Sequence, residues 1–262
     1  MGSKEGKEEY KNKIESQHVG LVKLITKFVP SIQMTLPQFI AFCPRLVPRM
    51  YTISSSSSVH PRSLAMTVSV IKEKNDDGSI FSGVCSNHLA NAGECRIFVR
   101  PSTFRLPKSV ATPIIMIGPG TGVAPMRALL QEREFQAKEG KEDGKKMNNV
   151  LYFGSKNRKL DYLYADEFAE FEKNGTLSSL HLAFSREQKD KIYVQHLLAK
   201  NGKETWDLIE AGAYIYICGG TSMGKDVVKE LGKIVSTIGN KNEEQYLALL
   251  KKEGRLVQEL WS

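Results

Sequence analysis

Three glycines in five residues, at Gly118, Gly120 and Gly122, are the first candidates for ligand chemistry. They follow Ile114–Ile117, four consecutive large apolar residues typical of a strand buried on both faces of a parallel sheet. From Val123 the pattern becomes helical, so the glycines lie at a helix N-terminus. Free N–H groups and the positive end of the helix dipole favour a bound phosphate there. The stretch therefore predicts a phosphate-binding turn, with a plain strand–turn–helix connection as the structural alternative.

The spacing of these glycines matches neither of two common nucleotide-binding motifs. Val123 stands where the Rossmann fingerprint has its third glycine or alanine, and no Gly-Lys-Ser/Thr follows as it does in a P-loop. Two prolines, Pro119 between the first two glycines and Pro125 after the third, nevertheless make the stretch richer in special backbone residues than an ordinary turn requires.

Further candidates stand at the ends of other predicted strands, at Gly154–Arg158, Ser185–Arg186 and Cys218–Gly220. After residue 111 predicted strands alternate with predicted helices, which indicates a doubly wound parallel sheet. Ligands of such sheets bind at the C-terminal ends of the strands. We therefore expect these three strand ends and the glycine turn to face one crevice.

An arginine and a tyrosine share one face of a predicted strand within Pro48–Ser58, where Arg49, Tyr51 and Ile53 alternate with other side chains. Together they offer a cation for a phosphate and a ring for stacking. The serine run at the end of this segment predicts a mobile polar loop. A second glycine-led helix start, at Gly83–Ser86, is again suited to an anion.

The elements that position these groups follow from periodicity. Residues 5 to 48 predict helices, with a stripe from Ile14 to Phe28 ended by Pro30, then a short helix capped by Thr35 with Pro37 in its first turn. The remaining predicted elements are strands at Met66–Val70 and Cys95–Val99, a turn at Asn75–Gly78, strands at Asn149–Gly154, Ser179–Phe184 and Ala213–Cys218, helices at Val123–Glu139, Asp161–Lys173, Tyr193–Ala211 and Met223–Ile238, a lysine-rich loop after Glu139, and a last amphipathic helix at Glu243–Lys252.

The composition of the 262 residues is that of a soluble globular protein of about two domains, with no apolar run long enough to span a membrane. The net charge of +8 favours anionic partners, either nucleotide phosphates or an acidic protein, while a plain basic surface stays open. Nucleic acid is not favoured, because the lysines are dispersed. The four cysteines lack metal-ligand spacing, so we expect no metal site and a reducing, cytoplasmic setting.

Taken jointly, the motifs resemble those of the ferredoxin-NADP reductase superfamily, and more narrowly the C-terminal FAD/NADPH module of diflavin reductases. The resemblance extends from about Gly6 to Ser262. It is carried by Arg49–Thr52, Gly83–Ser86, Gly118–Gly122, Asp161–Tyr164, Ala183–Gln188, Tyr193–His196, Tyr216–Gly219 and Trp261-Ser262.

The resemblance implies an α/β fold in three segments. Residues 1–48 would be a helical remnant of the family's connecting region, 49–110 a partial antiparallel FAD-binding β-barrel, and 111–262 a doubly wound NADP-binding domain. The family has further barrel strands and an FMN domain before this point, so the sequence is interpreted as N-terminally truncated.

The resemblance also assigns cofactor-binding roles. For FAD, Arg49 would hold the pyrophosphate, Tyr51 would stack on the isoalloxazine and Thr52 would lie near flavin N5, while Gly83, Val84, Cys85 and Ser86 would bind the diphosphate. For NADPH, Gly118, Gly120, Thr121, Gly122 and Gly219 would line the nicotinamide and pyrophosphate, and Ser185, Arg186, Lys191, Tyr193 and Gln195 would bind the 2′-phosphate. The last set has the hydroxyls and cations that suit a dianionic phosphate, which favours NADPH over NADH.

Four residues are the implied catalytic set. Cys218 would lie beside the reacting nicotinamide carbon, Glu259 replaces the family's aspartate near it, and Thr52 completes the group. Trp261 would cover the flavin face and swing aside for nicotinamide, with a hydrophobic plug as the alternative.

The sequence departs from the family pattern in three further places. Gly220 replaces a common aspartate, Lys72–Lys74 replaces an aromatic residue that stacks on adenine, and Leu256–Gln258 lacks the usual aromatic residue. The first difference would weaken a contact near the nicotinamide of NADPH, and the second would loosen the hold on the adenine end of FAD.

The function implied is that of an NADPH-dependent flavoprotein reductase module. Hydride would pass from NADPH to FAD, and electrons would continue through an FMN-binding flavodoxin-like domain to a haemoprotein such as cytochrome P-450. Two alternatives stay open: an NADP(H)-binding fragment without flavin or turnover, and a module that docks an acidic flavodoxin-like partner. A longer parent chain tethered to the cytoplasmic face of the endoplasmic reticulum is compatible with the family.

Overall fold

The computed structural model describes residues 3–140 and 146–261. Part of the predicted lysine-rich loop, at 141–145, and Ser262 lie outside the described residues. The chain divides into two compact units, one formed by Met1–Met50 and Val68–Ile97, the other by Tyr51–Thr67 and Phe98–Ser262. The domain boundaries expected at residues 48 and 110 stay predictions.

The first unit begins with helices, as predicted. α1 spans Gly6–Tyr10 and continues as a π-helical turn to Glu15, and α2 spans Leu21–Lys23 and continues in the same way to Phe28. α3 spans Leu36–Phe42, with Pro37 in its first turn. Its predicted cap is confirmed, because the Thr35 N–H donates to Gln38 Oε1 at 2.8 Å.

A hairpin and one helix complete the first unit. β1, Lys72–Lys74, pairs with β2, Ile80–Ser82, in antiparallel fashion. The predicted turn between them is confirmed, since Gly78 has φ +80°, a conformation that favours glycine. The glycine-led helix is confirmed as α4, Val84–Asn91.

Three predicted strands of the barrel do not form. Pro48–Ser58, Met66–Val70 and Cys95–Val99 contain no strand, and the first two share a single antiparallel bridge between Ile53 and Met66. Local propensity favours extended backbone in these segments, but a strand needs a hydrogen-bonded neighbour along its length. Within the described residues the antiparallel part is therefore the two-stranded sheet β1–β2.

The second unit contains a five-stranded parallel sheet in the order β5-β4-β3-β6-β7. The central β3 is completely buried, as its unbroken apolar run predicted. The final strand was not predicted. It forms because the segment pairs with β6 from Ile215 opposite Leu256 onward. The strands are β3 Ile114–Ile117, β4 Asn149–Ser155, β5 Ser179–Phe184, β6 Tyr214–Gly220 and β7 Leu256–Trp261.

Helices cover both faces of this sheet, which confirms the doubly wound prediction. On one face Ile115 and Ile117 pack in a core with Leu231, and on the other Met116 packs in a core with Leu130. The predicted helix at 161–173 is divided in two because Tyr164 adopts φ +60°. The helices are α5 Val123–Lys138, α6 Arg158–Asp161, α7 Ala165–Lys173, α8 Val194–Lys200, α9 Gly202–Glu210, α10 Thr221–Thr237 and α11 Glu243–Lys252.

No helix in the two described ranges combines the length and the apolar character needed to cross a membrane.

Candidate nucleotide-binding and redox site

The glycine turn packs backbone directly against backbone. A Cβ on Gly118 would lie 2.4 Å from the Gly122 carbonyl oxygen, and a Cβ on Gly122 would lie 2.1 Å from the Cys218 carbonyl oxygen. Gly120 differs, because its φ is +56° and a Cβ there would meet nothing within 4 Å. Two of the glycines are thus required by close approach to α5 and β6, and the third by its backbone conformation.

A cleft of about 510 Å³ opens beside this turn. Three of the four strand ends expected at one crevice line it, through Gly120, Ser155 and Ser185, and the β6 end contributes through Ser222 and Met223 of α10. This confirms the rule that parallel strands present their C-terminal ends to one ligand site, although Cys218–Gly220 itself is not in the lining.

Two polar atoms in the cleft lining have no hydrogen-bond partner in the described protein. Ser155 Oγ and Gln195 Oε1 are both buried and unpaired. A buried polar atom without a partner costs about 1–3 kcal/mol, so both atoms favour a polar ligand in the cleft. The donors and acceptors of a dinucleotide fit this arrangement.

The predicted 2′-phosphate residues fall into two groups. Ser185, Tyr193 and Gln195 line the cleft together. Arg186 and Lys191 are exposed and lie outside the lining, although the Arg186 N–H continues the β4–β5 pairing by donating to the Lys156 carbonyl at 2.9 Å. Exposed cations at this strand end are available to an incoming phosphate.

The predicted catalytic residues Cys218, Glu259 and Thr52 come together at the end of β6. Cys218 is completely buried and lies opposite Glu259 in the β6–β7 register. Burial and, to a smaller extent, the Glu259 charge raise the pKa of the Cys218 thiol to about 12, although a hydrogen bond from the Thr52 side chain acts in the opposite direction. The thiol is therefore neutral at physiological pH.

Ser102 is a member of this group that sequence reasoning missed. Its hydroxyl donates to Glu259 Oε1 and accepts from the Phe104 N–H at 3.0 Å. The two side chains are 157 residues apart in the chain, so no local pattern could identify the contact.

The segment that carries Thr52 is fastened to the parallel-sheet domain. Arg127 donates to the Ser54 carbonyl at 2.7 Å, and Ser56 bonds Gln131 at 3.0 Å and Glu132 at 2.6 Å. The prediction of a mobile serine loop is wrong for Ser54–Ser56, because all three are buried. The Ser56 hydroxyl is satisfied by α5, and the Ser55 hydroxyl accepts from the Ala65 N–H at 2.9 Å, which offsets the cost of burying these two side chains.

Trp261 lies at the end of β7 opposite Gly220, and its carbonyl accepts a hydrogen bond from Thr221 Oγ1 at 3.1 Å. Its side chain is 43% exposed, which does not suit a buried plug. Thr121 and Gly219 lie in and beside the glycine turn, with Gly219 held close to Met223, where a Cβ would come within 2.4 Å of the methyl group. The lid role of Trp261 stays a prediction.

The residues assigned to FAD are divided between the units. Arg49 and Gly83–Ser86 belong to the first, whereas Tyr51 and Thr52 belong to the second. In the first unit Arg49 is exposed. Val84, in the first turn of α4, is 60% exposed, so the N-terminus of this helix is accessible to an anion. Cys85 is partly buried, and the Ser86 hydroxyl already accepts from the Ile71 N–H at 3.1 Å. The donor chemistry fits a diphosphate, with the α4 backbone as its main source.

Comparison with known proteins identifies both halves of the chain. A family model described as FAD binding domain matches residues 1–88, and one described as oxidoreductase NAD-binding domain matches residues 116–229. These matches confirm the predicted fold class and the expectation of a flavin and a nicotinamide nucleotide as cofactors.

The chain is also similar to NADPH–cytochrome P450 reductases. It is 39% identical to that of Homo sapiens over 273 residues, which is 99% of this chain and 40% of the relative. It is 39% identical to that of Drosophila melanogaster over 272 residues and 37% identical to that of Musca domestica over 269 residues, covering 39% of each. The resemblance drawn from the motifs is confirmed, and the chain spans about 40% of the length of these relatives.

Proposed function

We propose that this chain is the FAD- and NADPH-binding module of a flavoprotein reductase. The observation that carries the proposal is the group formed by Cys218, Thr52 and Glu259, whose β6 backbone touches the glycine turn at Gly122. A neutral buried thiol and a nearby carboxylate thus lie beside the turn to which we assign the pyrophosphate. The similarity to NADPH–cytochrome P450 reductases supports the same function.

When bound, FAD would take a hydride from NADPH, leaving NADP⁺, and would pass the two electrons on singly. The protein's own contribution is positional and electrostatic. Cys218 keeps its proton, because burial holds its pKa far above neutral pH, so it offers an uncharged contact and cannot act as a base. The Glu259 charge favours the positive charge that a nicotinamide ring acquires on losing hydride.

The residues around the cleft would orient the nucleotide. The Gly118 and Gly122 N–H groups already donate to the Tyr152 and Pro119 carbonyls, so Gly120 and Thr121 would supply the backbone N–H groups for the pyrophosphate. Ser155 and Gln195 offer unpaired polar atoms. Ser185, Arg186, Lys191 and Tyr193 would bind the 2′-phosphate, so we propose a preference for NADPH over NADH.

We further propose an acidic FMN-binding flavodoxin-like domain as electron acceptor and a haemoprotein such as cytochrome P-450 after it. The net charge of +8 supports an acidic docking partner, whose affinity should fall steeply with added salt. Four free cysteines support a reducing, cytoplasmic compartment.

A second candidate is a nucleotide-binding domain without flavin, which is favoured by the small antiparallel part of the described structure, a sheet of two strands. An absorption spectrum of the purified protein, recorded anaerobically after addition of FAD and then NADPH, separates the two. A bound flavin band that bleaches supports the reductase. Protein that takes up no FAD, yet is stabilised by NADP⁺, contradicts it and favours the second candidate.

Replacing Arg186 with alanine is expected to weaken NADPH about 10- to 100-fold while leaving NADH within about twofold, because a charge-assisted hydrogen bond to the phosphate contributes about 1.5–3 kcal/mol. Titration calorimetry with NADP⁺ and NAD⁺ measures both affinities. Arg62→Ala, which removes another exposed arginine, is the control. Equal losses for the two nucleotides would contradict the assignment of the 2′-phosphate site.

Replacing Trp261 with alanine is expected to relax discrimination against NADH, because removing the indole would free the flavin face for a more weakly bound nicotinamide. We expect kcat/KM with NADH to rise about tenfold, equivalent to about 1.4 kcal/mol. Steady-state reduction of ferricyanide with each nucleotide gives the ratio. Leu160→Ala, at a side chain that is 86% exposed, serves as the control. An unchanged ratio would rule out the lid.

A further inference from the structure

The Ser102 hydroxyl contacts the Glu259 carboxylate, and both hydrogen bonds of this hydroxyl have an identified partner. The Phe104 N–H donates to Ser102 Oγ at 3.0 Å, and the hydroxyl proton is directed to Glu259 Oε1. A serine hydroxyl has a single proton, so the accepted bond and the donated bond together fix its orientation. We propose that Ser102 is a positioning residue that holds the Glu259 carboxylate beside the Cys218 thiol.

The segment around Ser102 is itself anchored to the strand that carries Cys218. The Tyr216 hydroxyl donates to the Arg105 carbonyl at 2.6 Å, and the Phe104 ring packs against the Tyr216 ring with centroids 5.2 Å apart. Phe104 is only 6% exposed. Ser102 therefore acts from a buried support and not from a free loop.

The register of the sheet explains why this support reaches the thiol. Tyr216 and Cys218 are two residues apart in β6 and belong to the same core cluster, so they lie on the same face of the sheet. Glu259 stands directly opposite Cys218 in β7. One strand thus carries both the anchor for Ser102 and the thiol that the carboxylate faces.

A glutamate needs such a restraint. Its side chain has several rotatable bonds, so holding it in a single position costs rotamer freedom that a hydrogen bond must offset. The Glu259 charge is felt at Cys218, where it raises the thiol pKa. Without the Ser102 hydroxyl we expect the carboxylate to leave this position for part of the time. The inference rests on the proposed function in so far as it assigns Cys218 and Glu259 to hydride transfer.

Infrared spectroscopy of the flavin-free protein tests the contact directly. The S–H stretching band responds to the local electric field, and the Cys218 band is identified by subtracting the spectrum of Cys218→Ala. We expect Ser102→Ala to shift this band and Ser102→Thr to retain it. Ser236→Ala, at an exposed serine of α10, is the control and should leave the band unchanged. In a Glu259→Gln background, Ser102→Ala should cause no further shift, because the charge that Ser102 positions is already absent.

A second arm uses FAD-loaded protein and anaerobic stopped-flow reduction by NADPH. Ser102→Ala should slow flavin reduction about tenfold, because the Glu259 carboxylate is displaced. The affinity for NADP⁺ should stay within about twofold, and Ser102→Thr should recover the rate.

An unmoved band in Ser102→Ala would overturn the proposal, as would an equal shift in Ser102→Thr. If the alanine variant does not fold, a threonine variant whose band has moved overturns it as well. If the wild-type protein reduces no flavin, the proposed function fails, and the infrared arm still decides whether Ser102 holds Glu259.

Discussion

Replacing Gly122 with alanine is expected to destabilise the second unit by about 3 kcal/mol, the upper range for forcing an extra methyl group into a packed interior. The added Cβ would lie 2.1 Å from the Cys218 carbonyl oxygen and 2.8 Å from its carbon, and neither strand nor turn backbone can move away without breaking the sheet. Thermal unfolding followed by circular dichroism should show a Tm lowered by about 6–12 °C, at about 2–4 °C per kcal/mol for a unit of this size.

Gly120→Ala is the matched control for this prediction, because it changes the same turn without a clash. Gly120 has φ +56° and open space at the Cβ position, so alanine costs only the backbone strain of about 1–2 kcal/mol. A Gly122→Ala variant as stable as Gly120→Ala would mean that the turn and β6 are not packed as described. NADP⁺ binding should also weaken in Gly122→Ala, since the displaced turn no longer presents its N–H groups.

The glycine turn shows how far a local pattern identifies a site. The pattern predicted glycines for close approach to a ligand, and it placed the turn correctly between a buried strand and a helix. Two of the three, Gly118 and Gly122, are in fact required by contact with the protein's own backbone. Spacing identifies glycines that must be small but not what they must be small against, because the contact of Gly122 is with β6, about a hundred residues later in the chain.

Helices and central strands were predicted well because their signals are local. The buried run of β3 and the helical periodicity of α5 and α10 need no knowledge of partners. β7 was missed for the opposite reason, since an edge strand at a terminus is stabilised by pairing with β6. The segments at Pro48–Ser58 and Cys95–Val99 have suitable side chains yet form no strand, because within the described residues their pairing is limited to the bridge between Ile53 and Met66.

The sequence identified the glycine turn and the residues Cys218, Glu259 and Thr52, which the structure brings together, but not the contacts that support them. The roles assigned to these residues stay predictions. No sequence pattern indicated Ser102 or Arg127, because Ser102 contacts a residue 157 positions away and Arg127 contacts one 73 positions away. Both position groups that the sequence did identify, Glu259 and the segment after Thr52. Supporting contacts of this kind depend on tertiary structure, and a single sequence does not reveal them.

Replacing Cys218 with alanine is expected to slow the reduction of bound FAD by NADPH about 100-fold, the loss that a misplacement of the reacting groups by about 1 Å can cause. The thiol is completely buried and hydrogen-bonded to Thr52, so its loss removes an uncharged contact and leaves the Glu259 charge without its neighbour. Anaerobic stopped-flow spectroscopy gives the rate, and calorimetry should find NADP⁺ affinity within about twofold, because the glycine turn and the cleft lining are unchanged.

Two controls make this prediction specific to the thiol. Cys95→Ala removes an exposed cysteine and should leave the rate unchanged. Stability at high pH gives an independent check. Because burial raises the folded-state pKa of Cys218 to about 12, its contribution is complete below the usual thiol range and is lost as pH rises toward that value. Cys218→Ala should therefore lose less stability than the wild type between about pH 9 and pH 12. A wild-type rate of flavin reduction in Cys218→Ala would contradict the role of the thiol, and an unchanged alkaline profile would contradict its burial in the neutral form.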